Sequence, residues 1–263
     1  MEEYLDFALG IKDYAKEIMK KYFFLEENNI EYKEDRTPVT TADKLINHYL
    51  IEAVKKNYPT HGVCGEEEKY NENSKYLWVC DPIDGTSMYT RGVPVSTFSL
   101  AFVIDGDVKV GVVLDPFLDD VYTAIKGQGA YLNGEKINVN DKKLGEVGCS
   151  IDYCMWDKAK YDTLPIVGEL RSVAKMFQVG STVHASMLVA RGKISAELFP
   201  GTAHGNCDIA ASKLIVSEAG GVVTNFLGED QRYDRDIEGA VLSNKVIHEE
   251  LMEKVKKYSK LKY

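Results

Sequence analysis

The fold is decided by one stretch, Trp78-Val79-Cys80-Asp81-Pro82-Ile83-Asp84-Gly85-Thr86. The apolar run 76–80 predicts a buried strand. Pro82 cannot donate a hydrogen bond to a sheet, so we expect the strand to stop or leave the sheet there. Two carboxylates at the end of a strand, followed by a Gly-Thr turn, suit a hard cation with a phosphate beside it. Asp-Pro and Asp-Gly are also ordinary turn dipeptides, so the stretch alone leaves both interpretations open.

The length and composition indicate an ordinary globular protein. The chain has 263 residues, of which 44% are hydrophobic and 28% are charged, and this length suits one large domain or two intimate halves. We place a soft boundary near residues 142–147. It separates an N-terminal α+β half, residues 1–145, from a C-terminal α/β half, residues 146–263. The net charge of −9 argues against a nucleic-acid partner, because binding a polyanion needs clustered positive charge.

Several absences in the sequence point to the cytoplasm. The beginning of the chain lacks the basic and apolar regions of a signal peptide, and no apolar run reaches the ~20 residues of a membrane span. We therefore expect no membrane partner. The cysteines are odd in number and form no CxxC pair, which favours a reducing compartment over a disulfide framework. They are Cys64, Cys80, Cys149, Cys154 and Cys207.

The first half reads as two helices followed by strands. Residues 5–26 place apolar side chains on one stripe of a helix, and residues 37–43 open a second helix that continues to about residue 57. Three β-rich runs follow the opening stretch, at 96–104, 108–114 and 121–125. Asp105-Gly106 between the first two is a hairpin signal. This pattern predicts an antiparallel meander.

The second half alternates between strands and helices, which implies a layered α/β arrangement. Ser181 or Thr182 is expected to cap a helix that ends at Ala190, and Gly220-Gly221 to end another. Pro165 weakens the prediction of a helix within 156–171. The predicted strands are 149–153, 194–199, 222–223 and 239–242, and the predicted helices include 209–219 and 246–258.

Four acidic positions beyond ordinary surface charge are candidates for chemistry: Asp43, Glu66, the Asp81/Asp84 pair, and Asp208. Each has a structural interpretation. Asp43 lies three residues after Thr40 and fits a helix capping box. Glu66 belongs to an acidic run typical of a solvated face, and Asp208 favours the positive end of the helix that it opens.

Taken together, these segments resemble the inositol monophosphatase family, part of the magnesium-dependent, lithium-sensitive phosphatase superfamily that includes fructose-1,6-bisphosphatases. The resemblance rests on Asp81-Pro82-Ile83-Asp84-Gly85-Thr86, Gly65-Glu66-Glu67, Cys207-Asp208-Ile209-Ala210-Ala211, Thr40-Thr41-Ala42-Asp43, residues 127–134, and Glu218-Ala219-Gly220-Gly221. It implies an α/β fold (α+β) built as a layered α-β-α-β-α sandwich. It also implies a homodimer.

The same resemblance implies the metal ligands. Glu66, Asp81 and the carbonyl of Ile83 correspond to the ligands of a first Mg²⁺. Asp81, Asp84 and Asp208 would hold a second. A third, looser Mg²⁺ would arrive with the substrate, Mn²⁺ could substitute for Mg²⁺, and Li⁺ should inhibit. Oxygen-only ligands agree with this choice of metal.

The implied reaction is direct hydrolysis of a sugar or polyol phosphate. Glu66 and the Thr86 hydroxyl would orient a metal-activated water. Asp43 would accept a hydrogen bond from Thr86, and the N–H groups of Gly85 and Thr86 would hold phosphate oxygens. A nucleophilic-aspartate phosphatase is disfavoured, because its catalytic acids lie two apart whereas Asp81 and Asp84 lie three apart.

The substrate is less closely determined. Gly180-Ser181-Thr182 matches the family segment beside the leaving group, and Glu197 is the candidate acid for sugar hydroxyls. Asp84, Gly85, Thr86 and Asp208 complete the expected substrate contacts. Alternatives are a fructose-1,6-bisphosphatase, which would need cations such as Arg171 or Lys175, and phosphatases of histidinol phosphate or 3′-phosphoadenosine 5′-phosphate. A non-catalytic divalent-metal-binding regulator is an alternative of another class.

Overall fold

The computed structural model describes residues 1–23, 30–33, 38–151, 159–202 and 204–258. The helices are α1 (Glu2–Tyr22), α2 (Thr41–Asn57), α3 (Thr86–Tyr89), α4 (Leu164–Leu170), α5 (Thr182–Ala190), α6 (Gly205–Glu218) and α7 (His248–Tyr258). The strands are β1 (Glu31–Tyr32), β2 (Pro38–Val39), β3 (Gly62–Gly65), β4 (Lys69–Tyr70), β5 (Tyr76–Asp84), β6 (Thr97–Ile104), β7 (Asp107–Asp115), β8 (Asp120–Ile125), β9 (Ala130–Leu132), β10 (Glu135–Ile137), β11 (Cys149–Ile151), β12 (Met176–Phe177), β13 (Ala196–Phe199), β14 (Val222–Thr224) and β15 (Ala240–Ser243).

Two large sheets organise the molecule. The first has the order β10-β9-β8-β7-β6-β5-β3-β4, and the second has the order β12-β11-β13-β15-β14. In the first sheet the neighbours from β5 to β10 are antiparallel, so the predicted meander is present. Strands β3 and β5 are parallel, so both carboxyl ends lie at the same edge of the sheet.

The alternation of side chains along β5 shows how the layers form. Trp78 and Cys80 face the core that contains α1 and α2. Leu77 and Val79 face the opposite core, which contains α5, α6 and one face of the second sheet. The other face of the second sheet packs against α4 and α7. The layers are therefore helices, sheet, helices, sheet, helices, as the family resemblance implied.

Helix α6 lies directly on the first sheet because of one glycine. A Cβ atom on Gly111 in β7 would lie 3.1 Å from the carbonyl oxygen of Ala211, closer than side chains normally pack. The core between the sheets contains residues from both parts of the chain. The division into residues 1–145 and 146–263 stays a prediction.

Several predicted elements differ in detail from the observed ones. Pro165 lies at the start of α4 rather than interrupting a helix, which is the position where its missing N–H costs least. The strand expected at 194–199 begins at Ala196, and the closing helix begins at His248. The predictions for residues 24–26, 37, 152–153 and 156–158 lie outside the described residues. Across the described ranges, no helix has both the length and the apolar character needed to cross a membrane.

Candidate metal and substrate site

Strand β5 carries Asp81 and Asp84 to the edge of the first sheet. We expected the strand to stop or leave the sheet at Pro82. Instead it continues to Asp84. Its pairing with β6 is irregular between Asp81 and Asp84. Such an irregularity accommodates a residue that has no N–H to donate, and it changes the direction of the side chains that follow. The carboxylates of Asp81 and Asp84 therefore lie close together at the edge of the sheet.

Asp208 joins them from the first turn of α6. Asp81, Asp84 and Asp208 each offer a carboxylate oxygen, and these atoms all lie within 4.8 Å of one another. Asp81 is 2% exposed and Asp84 is 8% exposed. Three carboxylates that are close together and mostly buried need a positive charge, and oxygen ligands of this kind suit Mg²⁺.

The pKa of Asp81 reflects this crowding. Burial raises the pKa of Asp81 well above its usual range, and the negative charge of Glu66 raises it further. The neighbouring Asp208 and Asp84 act in the same direction. Each effect disfavours a third negative charge in the cluster. A bound divalent cation would favour the ionised carboxylates instead, so these ligands fit the Mg²⁺ that the family resemblance implied.

Glu66 lies beside the cluster, held by a different partner. Its N–H donates to the carbonyl of Cys80 at 3.1 Å, which places it next to Asp81. Its carboxylate Oε1 accepts a hydrogen bond from Lys33 Nζ at 2.7 Å. Among the described residues, Glu66 is not part of the three-carboxylate cluster. Its predicted role as a metal ligand stays a prediction.

Lys33 is a site residue that sequence reasoning missed. Its Nζ contacts Glu66 at 2.7 Å and Glu67 at 2.6 Å. Burial lowers the pKa of Lys33, but the two carboxylates outweigh burial and the net shift is upward. In the sequence Lys33 is only one lysine in a polar link, and nothing near it indicates that it pairs with Glu66 and Glu67.

The Gly-Thr turn has the expected backbone but an unexpected hydrogen bond. Gly85 has φ of +80°, a conformation that favours glycine, and Thr86 begins α3. The Thr86 hydroxyl donates to the carbonyl of Ile83 at 2.8 Å. The predicted hydrogen bond from Thr86 to Asp43 is therefore wrong in this structure. The Ile83 carbonyl, a predicted metal ligand, faces the same turn.

Asp43 caps helix α2. Its Oδ2 accepts a hydrogen bond from the N–H of Thr40 at 2.8 Å, and the Thr40 side chain accepts from the N–H of Asp43 in return. Within the described part of the chain, Asp43 Oδ1 is buried without a hydrogen-bond partner. Burial raises the pKa of Asp43 to about 8, although the Thr40 hydrogen bond opposes this. The structure supports the capping interpretation, and a catalytic role stays a prediction.

The segment Gly180-Ser181-Thr182 lies against the Gly-Thr turn. A Cβ atom on Gly85 would lie 2.9 Å from the Gly180 carbonyl oxygen. The Oδ2 atom of Asp84 accepts hydrogen bonds from the Ser181 hydroxyl and, at 2.9 Å, from the N–H of Val183. Ser181 also caps α5, as predicted, by accepting from the N–H of His184 at 3.0 Å. One carboxylate thus connects the metal cluster to the start of α5.

Glu197 lies in β13 and is 1% exposed. It lines a small cavity together with Ser150, Ile151 and residues 178–182. The structure therefore places Glu197 beside the segment that was expected to contact the leaving group. Sequence reasoning did not single out Ser150, because nothing in a short strand marks which residue faces a cavity.

A model of the inositol monophosphatase family matches residues 1–260 of the chain. The chain belongs to this family. A relative from Thermotoga maritima, named fructose-1,6-bisphosphatase/inositol-1-monophosphatase, is 30% identical over 233 residues, which cover 87% of this chain and 86% of that protein. A relative from Pseudomonas aeruginosa, named Nus factor SuhB, is 31% identical over 244 residues, which cover 88% of each protein.

A solved structure of the Thermotoga maritima IMPase is 28% identical, has a TM-score of 0.85, and covers 97% of this chain and 98% of that one. The predicted family and fold are thereby confirmed. Because the inositol monophosphatase family is a family of phosphatases, the prediction of a phosphatase is confirmed as well.

Proposed function

We propose that this phosphatase hydrolyses a sugar or polyol phosphate of the inositol 1-phosphate type and that it depends on Mg²⁺. The observation that carries the proposal is the double contact of Asp84. Its carboxylate belongs to the cluster with Asp81 and Asp208, and it also holds the start of α5 through Ser181 and Val183. The place for a cation and the place for a leaving group therefore adjoin.

In this proposal Asp81, Asp84 and Asp208 hold two Mg²⁺ ions together with Glu66 and the carbonyl of Ile83. Bound Mg²⁺ would supply Lewis acidity, which neutralises phosphate charge and makes a water nucleophilic at neutral pH. A third ion bound with the substrate, replacement by Mn²⁺, and inhibition by Li⁺ belong to the same proposal.

Residues around the cluster have separate proposed roles: they orient the attacking water, bind the phosphate and bind the leaving group. Glu66 and Thr86 would orient the attacking water. The N–H groups of Gly85 and Thr86 hold phosphate oxygens. Glu197, with Gly180 and Thr182 beside it, accepts hydrogen bonds from the hydroxyl groups of the leaving group. A buried carboxylate is a strong acceptor for such hydroxyls.

Phosphate release from purified protein tests the proposal. Inositol 1-phosphate, fructose 1,6-bisphosphate, histidinol phosphate and 3′-phosphoadenosine 5′-phosphate are compared at equal concentration with Mg²⁺, with EDTA, and with Mg²⁺ plus Li⁺. We expect the largest kcat/KM for inositol 1-phosphate, with activity abolished by EDTA and reduced by Li⁺. Absence of release from every substrate with either Mg²⁺ or Mn²⁺ would refute the proposal.

Two other functions have a specific observation in their favour. The name of the Thermotoga maritima relative favours fructose 1,6-bisphosphate as a second substrate, which the same screen measures. The name of the Pseudomonas aeruginosa relative favours a non-catalytic role. Mg²⁺ binding without release of phosphate from any of the four compounds would support that role.

We also propose a homodimer, which the family resemblance supports, and a cytoplasmic location, which the odd number of cysteines without a CxxC pair supports. Light scattering during size-exclusion chromatography tests the assembly, with twice the mass of one chain as the expected result. Fractionation of the source cells tests the location.

A further inference from the structure

Two buried thiols meet where β3 and α6 come together. The thiol of Cys207 donates to the carbonyl of Cys64 at 3.5 Å, so the two cysteines are in direct contact. The side-chain amide of Asn206 is 3.5 Å from the sulfur of Cys64. Cys64 is 7% exposed and Cys207 is 0% exposed. The proposed hydrolysis uses neither thiol.

Both thiols are connected to the carboxylate site through a very short length of backbone. Cys207 directly precedes Asp208, and Cys64 lies two residues before Glu66. A bond between the two sulfurs would therefore act on the backbone directly beside the site. By contrast, Cys149 lies in the second sheet and packs in a separate core.

The β3 side of this contact is tightly held. A Cβ atom on Gly65 would lie 2.1 Å from Oδ1 of Asn47 and 2.6 Å from the carbonyl oxygen of Glu68. The N–H of Gly65 also donates to that carbonyl at 3.2 Å. Backbone with so little free space does not shift easily.

The α6 side begins at a strained cap. Its N-cap residue, His204, has a φ of +64° and makes no side-chain cap hydrogen bond to the described residues. A non-glycine residue in this conformation is strained, and a missing cap weakens the first turn of a helix. The next residue is closely packed, because a Cβ atom on Gly205 would lie 2.7 Å from the ring of Phe199. Movement between Cys64 and Cys207 would therefore be transmitted to the turn that carries Asp208.

We propose that Cys64 and Cys207 form an oxidation-sensitive pair, which a peroxide converts to a disulfide that displaces Asp208 and weakens the metal site. The more exposed Cys64 reacts first: its sulfur takes an oxygen atom from hydrogen peroxide, giving a sulfenic acid and one water. The sulfur of Cys207 then attacks Cys64 Sγ. The S–S bond forms, the S–O bond breaks, and the hydroxyl leaves as a second water with the Cys207 proton. A small thiol reverses the reaction by exchange.

The effect follows from the geometry that a disulfide requires. A disulfide bond is about 2.05 Å long and requires a narrow range of Cα and Cβ separations, so forming it pulls the two chain segments together and shifts the backbone beside Asp208. Disturbing the support of a metal ligand typically costs about 10–100-fold in metal affinity. We expect Mg²⁺ binding to weaken by that factor. Any accompanying loss of turnover rests on the proposed function, whereas formation of the disulfide does not.

The test treats the full chain with hydrogen peroxide, blocks remaining thiols with iodoacetamide, and identifies linked peptides by mass spectrometry. Mg²⁺ titration calorimetry is performed before oxidation, after oxidation, and after dithiothreitol. We expect a Cys64–Cys207 peptide and 10–100-fold weaker Mg²⁺ binding, both reversed by dithiothreitol. Cys64→Ala and the near-isosteric Cys64→Ser should lose both effects. Cys149→Ala, a matched buried control, should keep them.

Three results would overturn the proposal: no linked peptide, a linkage of Cys64 to Cys80 instead, or a linked protein whose Mg²⁺ affinity is unchanged. Equal loss of Mg²⁺ binding in Cys64→Ser after peroxide would overturn it as well, because another oxidation would then be responsible. If the reduced protein releases no phosphate, the proposed function fails, while the peptide and titration results still decide the role of the thiols.

Discussion

Substituting Asp81 by Asn tests two effects of charge in the carboxylate cluster. One is the repulsion between carboxylates in the metal-free protein, and the other is the stabilisation of the protein by bound Mg²⁺. In the metal-free protein the substitution removes a buried acid whose ionisation is opposed by its neighbours. Two ionised carboxylates within 4.8 Å of each other repel by at least about 3.5 kcal/mol at an effective dielectric constant of 20. The metal-free variant should therefore be at least as stable as the wild type at neutral pH.

With Mg²⁺ the order should reverse. Mg²⁺ at 100 times its dissociation constant stabilises the folded wild type by about 2.7 kcal/mol. For a chain of 263 residues this corresponds to an increase in melting temperature of about 5 °C. Asp81→Asn should lose most of this increase, because the amide is a neutral and weaker ligand, and it should also lose turnover.

Differential scanning fluorimetry with and without Mg²⁺ measures the effect on stability, and phosphate release measures turnover. Asp141→Asn is the matched control, since its side chain is 92% exposed and lies outside the cluster. The reasoning is refuted if Asp81→Asn keeps both the Mg²⁺-dependent increase in melting temperature and turnover close to that of the wild type.

Three further predictions concern residues around the cluster. Lys33→Met should lower the Mg²⁺ concentration for half-maximal activity about 2–5-fold, because the lysine no longer competes for Glu66; a Mg²⁺ titration of activity showing no shift contradicts this. Glu197→Gln should raise KM for inositol 1-phosphate about 10-fold and leave KM for p-nitrophenyl phosphate unchanged, because that leaving group has no hydroxyl to bind. The pKa of Asp43 is raised to about 8 in the folded state, so the wild type should lose stability as pH rises from about 4 to about 8. Asp43→Asn keeps an oxygen that can accept from Thr40 and should flatten this dependence in urea unfolding, whereas parallel curves would show that Asp43 is not the cause.

The parts of the fold that were predicted correctly depend on local signals. The start of α5 follows from a serine whose side chain accepts a hydrogen bond three residues later, and the Asp105-Gly106 hairpin follows from two residues that both adopt positive φ. Such signals act over a few residues, so the sequence contains them completely. The alternation along β5 and the apolar helices on either side agree with the layered arrangement that the family resemblance implied.

Other features depend on contacts between distant segments and could not be predicted this way. The pairing of Lys33 with Glu66 requires the β1 segment to lie beside the end of β3, and no residue near either one indicates it. The Thr86 hydroxyl was expected to donate to Asp43, but a turn brings the carbonyl of Ile83 within 2.8 Å and the hydroxyl donates there instead. Pro82 was expected to stop the strand or take it out of the sheet, but an irregularity in the pairing accommodates it and β5 continues to Asp84.

Asp84 explains why the metal cluster and the substrate segment cannot vary independently. Its Oδ2 satisfies the Ser181 hydroxyl and one of the free N–H groups at the start of α5, and a negative charge there is favoured by the helix dipole. A cation that draws Asp84 away would remove that partner from α5. Binding of the metal should therefore shift the segment 180–182, which we propose to contact the leaving group. If Asp84 is a metal ligand, its contact with α5 is the route by which metal binding would affect the choice of substrate.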